Sequence, residues 1–172
     1  MIPAIEIKIA PIISARVGVS PPDLTIFSGG IKQYTFNATN HEVYGANEIT
    51  HRYKEGSNIY PHIHWANNGS EASDKFVKWE LEYTISTNGI FLPPVKLSKE
   101  ILIPAGLPNR SYLISDFGSD ISGLSIKIGD YILWTLKRIT SSGQAPVGNP
   151  FGIALGFHIE QDGLGSTGLF NK

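Results

Sequence analysis

Phe76-Val77-Lys78-Trp79-Glu80-Leu81-Glu82-Tyr83-Thr84-Ile85-Ser86 is the stretch that decides the fold. Apolar and polar side chains alternate through it, and alternate residues of a strand point to opposite faces. Val77, Trp79, Leu81, Tyr83 and Ile85 are therefore expected to line a core, with Lys78, Glu80, Glu82 and Thr84 outside. Asn88-Gly89 comes next, and both residues readily reach the positive φ of a tight hairpin turn. The chain is thus expected to double back through Ile90–Leu97.

Working outward, the same strand signals recur at Leu24–Phe27, Ile31–Phe36, Glu48–Tyr53 and Ile59–Trp65 on one side. On the other they recur at Lys99–Ile103, Ser111–Ile114, Leu124–Ile128, Tyr131–Ile139 and Phe151–Gln161. Gly29-Gly30 and Asn67-Asn68-Gly69 read as turns, and Asn37, Asn40 and Asn47 as a polar loop. Eighteen glycines and eleven prolines leave helices of ordinary length little room. The expectation is an all-β, jelly-roll-like antiparallel sandwich over residues 23–172, preferred to an immunoglobulin-like one.

Residues 1–22 stand apart. Ile5-Glu6-Ile7-Lys8-Ile9 alternates, but Pro11 and Pro21-Pro22 interrupt the chain between it and Asp23. Two readings stay open: an extended N-terminal arm, able to reach roughly 70 Å onto a neighbour, and an ordinary first strand.

A chain of 172 residues suits one domain. Fourteen basic and fifteen acidic residues give a net charge of −1. Direct nucleic-acid binding and attachment to an anionic membrane are not expected of that balance. No stretch reaches the ~18 apolar residues of a membrane span, and the N-terminus has no signal-peptide pattern, so a soluble, unprocessed protein is expected. With no cysteine, thiolate chemistry, disulfides and iron–sulfur clusters are excluded.

The candidate site is a set of histidines. His62 and His64 share a strand face in Tyr60-Pro61-His62-Ile63-His64-Trp65, and His51 and His158 stand on other strands. If a metal bound, His62, His64 and His158 would hold it, with a carboxylate such as Glu71 or Asp162. Gly56 followed by His62-Ile63-His64 resembles the first half of the cupin motif. The resemblance then fails: Asn68 and Gly69 stand where its glutamate belongs, and Leu155 where its last histidine belongs. The other reading is a hydrogen-bonded cluster of His62, His64 and His158 tied to Asp162, with no cofactor. His41, among polar loop residues, is expected to face solvent, and Lys137 and Arg138 to form a charged edge. No nucleophile elbow or phosphate loop is present, and an enzyme is not expected.

His51-Arg52-Tyr53-Lys54-Glu55-Gly56, the Pro61-His62-Ile63-His64-Trp65 segment, the strand from Trp79 to Tyr83, and His158-Ile159-Glu160-Gln161-Asp162-Gly163-Leu164-Gly165-Ser166 occur in this order. Together they resemble a family of small tailed-bacteriophage virion structural proteins, over about residues 48–172. The resemblance implies a non-enzymatic subunit, foremost a capsid decoration or cement protein. Head-fibre and tail or collar components are also compatible with it. It further implies a homo-oligomer, expected as a trimer, bound to the major capsid protein or another virion protein, and residence in the virion. His51, His62, His64, Trp65, Trp79, Tyr83, His158 and Asp162 carry the motif. A carbohydrate- or receptor-binding β-sandwich of a fibre or tail is the alternative, and a cupin-like metal-dependent enzyme the second.

Overall fold

A computed structural model describes residues 4–38 and 41–162. Its strands are β1 (Ala4–Pro11), β2 (Arg16–Val17), β3 (Asp23–Ser28), β4 (Ile31–Thr35), β5 (Glu42–Glu48) and β6 (Ile59–Ala66). They continue as β7 (Lys75–Thr87), β8 (Ile90–Phe91), β9 (Val95–Ile103), β10 (Tyr112–Asp116), β11 (Tyr131–Ile139) and β12 (Phe151–Gln161). One turn of 3₁₀ helix, Ile12–Ser14, joins β1 to β2.

The strands form two antiparallel sheets. The first runs β10-β6-β12-β4-β3, with β1 also on β12, and the second runs β2-β5-β11-β7, with β8 and β9 both on β7. Number β4, β5, β6, β7, β9, β10, β11 and β12 as first to eighth, and the sheets read 1-8-3-6 and 2-7-4-5. That interleaving is the jelly roll, with two Greek keys wrapped face to face. The alternation read in β7 holds: Val77, Trp79 and Leu81 are wholly buried, and Asn88 and Gly89 have φ of 49° and 76°.

The core lies between the sheets. Trp65 from the first sheet and Trp79 from the second meet edge to face at 6.1 Å, and Phe36 meets Trp79 at 5.3 Å. Trp65 Nε1 donates to Ser115 Oγ at 3.0 Å, so this buried indole is satisfied. Trp65 and Trp79 thus hold the sheets together in the core, while half-buried Tyr83 of β7 also borders the outer surface of the second sheet.

Residues 4–11 are in register with β12 from Ala4↔Gln161 to Pro11↔Ala154. Of the two readings of the N-terminus, this pairing is that of a strand, which completes the edge left free where β4 pairs only Phe151 and Gly152 of β12. Elsewhere the expected boundaries move. Glu42–Glu48, expected as loop, is β5, because Gly45 is needed there: a Cβ on it would lie 2.5 Å from the Trp134 ring. Conversely Ile49–Tyr53 and Leu124–Ile128 are not strands, although Ile126 and Ile128 are buried. His41 is buried, corrected from solvent-facing, because its ring meets the backbone of Asn37 and Thr35, each at 3.2 Å. Arg138 is buried too, corrected from a charged edge. It stands opposite Trp79 on the inner face, and its Nη1 donates to Phe36 O and Asn149 Oδ1, each at 3.0 Å.

Candidate functional site

The strand register places the histidines. On the outer face of the first sheet, Asp116, His62, Gly156 and Ile9 stand side by side across β10, β6, β12 and β1. Ile114, His64, Ala154 and Pro11 form the next row. His158 faces Tyr60 on β6 and Ile7 on β1. Three of the sequence-chosen histidines therefore come together: His62 and His158 have ring centroids 4.3 Å apart, and His62 and His64 4.8 Å.

Although on an outer face, His62 is only 5% exposed. It lies down across Gly156, where an added Cβ would come within 2.3 Å of its Nε2. Glycine here provides the notch into which the imidazole sinks.

The proton positions in this cluster follow from its acceptors. His62 Nδ1 faces the Tyr60 carbonyl at 3.5 Å, and a carbonyl only accepts, so Nδ1 carries the hydrogen. His62 Nε2 is then bare and accepts from His64 Nε2–H at 2.9 Å. His64 Nδ1, bare in turn, accepts from the Tyr112 hydroxyl. The wire runs Tyr112 to His64 to His62 to Tyr60 and requires both imidazoles neutral. Burial, followed by repulsion from His158, pushes His62 down from 6.5 to about 4. The same two causes lower His64.

The other expected members stand beyond the ends of strands. His51 sits in the turn after β5, with its Nδ1 buried. Asp162 directly follows β12, and its backbone N–H donates to Arg52 O at 3.3 Å. Among the described residues no group of three or more His, Cys, Asp or Glu side chains is arranged to hold a metal ion.

A second candidate, not singled out from sequence, crosses the outer face of the second sheet. It is an open groove of about 840 Å³, walled on one side by Ala10, Pro11, Ala15 and Arg16 and on the other by Pro94. Glu82, Thr135 and Tyr44 stand in register across β7, β11 and β5, with Thr84, Leu133 and Ala46 beside them. Tyr44 and Leu133 are each 38% exposed. Sequence alternation marks these residues as outward, but the walls come from distant segments and only the fold supplies them.

No protein-family model and no curated protein matches the chain. Among solved structures it is similar to the CBM36-1 domain of a multidomain xylanase from the hindgut metagenome of Trinervitermes trinervoides. That likeness has 12% identity and a TM-score of 0.45, covering 94% of this chain and 100% of the other. A carbohydrate-binding module CBM36 in complex with calcium and xylotriose has 10% identity and a TM-score of 0.41, with coverages of 87% and 98%. The Podospora anserina GH26-CBM35 β-(1,4)-mannanase has 12% identity and a TM-score of 0.42, covering 91% of this chain and 28% of the other. The strand order, rather than these likenesses, defines the fold.

Proposed function

We propose that the protein is a non-catalytic binding subunit that recognises carbohydrate through the groove across the second sheet. The observation that carries this is the groove itself. Its 840 Å³ lies within the ~300–1,000 Å³ of small-molecule sites. Its chemistry suits a sugar: Tyr44 and Leu133 offer apolar surface to the C–H face of a ring, and Glu82 and Thr135 offer hydrogen bonds to hydroxyls. The tailed-phage virion setting rests on the four ordered motifs and is a separate part of the proposal.

Calorimetric titration with neutral oligosaccharides tests the groove. Binding that falls at least tenfold in Tyr44→Ala is expected, and no binding by any neutral oligosaccharide would sink it. Detecting the chain in purified phage particles by mass spectrometry tests the setting.

A second reading, a decoration or cement protein that works by protein contact alone, is favoured by the outer face of the first sheet. Among the described residues that face is apolar, and its carboxylates Glu160 and Asp116 are paired with Lys54 and Lys99.

A further inference from the structure

The first sheet's outer face is large, apolar and internally satisfied. Ile5, Ile7, Ile9, Tyr60, Tyr112 and Ile114 are each 47–62% exposed on it. Four strands about 4.8 Å apart and eight residues at about 3.3 Å give roughly 500 Å² in projection, and more in accessible area. A monomer's largest ordinary apolar patch is about 300–600 Å², and a stable complex buries about 600–1,000 Å² per partner. This face is near the second range. Phe27 and Arg110 close it at one end by covering Phe151, with the guanidinium 5.0 Å from that ring.

Its polar groups seek nothing from an oppositely charged partner. His62 and His64 have all four ring nitrogens engaged within the chain. Of the carboxylates on this face, Glu160 is paired with Lys54 at 2.9 Å and Asp116 with Lys99 at 3.3 Å. Glu6 and Lys8 of β1 belong to the opposite face. A surface without a net charge to match, whose hydrogen bonds are already made, is complementary to itself. Homodimer interfaces have this composition, with charge depleted from an apolar core.

We infer that this face docks a second copy of the same chain, sheet against sheet about a two-fold axis, with the Ile7 and Ile114 flanks interdigitating around the histidines. Acid opposes the contact. Protonating His62 or His64 sets N–H against N–H, which breaks the wire and places charge in the centre of the apolar face. The titratable neighbours there are His158 and Glu160 on β12, Tyr60 on β6, and Tyr112 and Asp116 on β10. β1 contributes no titratable side chain to this face, only Ile5, Ile7, Ile9 and Pro11.

The test is the mass in solution by light scattering at micromolar concentration, with circular dichroism to monitor the fold. At neutral pH the unaltered chain is expected as a dimer, and Ile7→Glu/Ile114→Glu as a folded monomer of half that mass. At about pH 4 the unaltered chain is expected to lose the dimer before it loses its β spectrum. Tyr44→Ala, on the other sheet, should leave the mass unchanged. If the double variant does not fold, Ile9→Glu alone replaces it. A monomer at neutral pH, or an oligomer that survives these glutamates, overturns the inference.

Discussion

A walk across the first sheet's outer face meets Ile114, His64, Ala154 and Pro11. The corresponding walk across the second meets Lys96, Glu82, Thr135, Tyr44 and Arg16. Both rows come from strands with the same alternation, and both back onto one core. The second face carries a network of full charges: half-exposed Lys96 lies 3.7 Å from both Glu80 and Glu82, and Lys137 lies 3.8 Å from Glu42 and Glu80. The first face turns its polar groups on one another. Period-2 patterning thus fixes which side chains point outward, while their pairing decides whether a face can be dehydrated.

The largest expected effect removes the comparison altogether. Trp79→Ala takes out a wholly buried ring shared by both sheets. It should cost about 3–5 kcal/mol by urea unfolding. A loss under about 1 kcal/mol would mean that the two faces do not depend on one core.

Gly156→Ala should separate the faces. Its Cβ collides with the His62 ring, at an expected cost of about 1–3 kcal/mol. Binding in the opposite groove should persist, and equal damage to both would count against their independence.

His64→Ala interrupts the wire at its middle, leaving His62 Nε2 without its donor. About 1 kcal/mol is expected, since water reaches part of the gap. It should also flatten the acid dependence. The folded His62 has a lowered pKa, so its contribution is complete above 6.5, declines as pH falls, and is gone below about 4. Thermal melts across that window, with and without His64→Ala, provide the check. A variant that keeps the full acid slope would remove the wire from the explanation.

The smallest effect is expected on the second face. Lys96→Ala removes a half-exposed partner of two carboxylates at 3.7 Å and should change stability by about 0–1 kcal/mol. Raising the salt concentration should shrink even that.

Much of this architecture was legible from residues 76–86 outward, because alternation and turn chemistry are local. Trp65, Trp79 and the Asn88-Gly89 hairpin needed no partner to be recognised. β5 was missed because Gly45 and Asn47 look like loop residues. Their reason lies on β11, where the Trp134 ring rests on Gly45 and its Nε1 donates to Asn47 Oδ1 at 2.7 Å. His62 and His64 could be paired by spacing alone. That His158 joins them depends on the β6–β12 register, which no local pattern contains. Arg138 misled for the same reason: charge suggested surface, whereas its register opposite Trp79 turned it inward.

The position of β12 bears on how the molecule comes into being. It is the last described strand in chain order, yet it lies inside the first sheet, flanked by β6 on one side and by β1 and β4 on the other. A nascent chain extending to β11 can complete the β5-β11-β7-β9 arrangement but leaves a gap in the other sheet, with β1 and β6 unjoined. Closure must bring together segments about 150 residues apart, a slow step by loop-closure entropy. Until then the isoleucines of β1 have no sheet to belong to, and growing chains on one message are exposed to mispairing with each other.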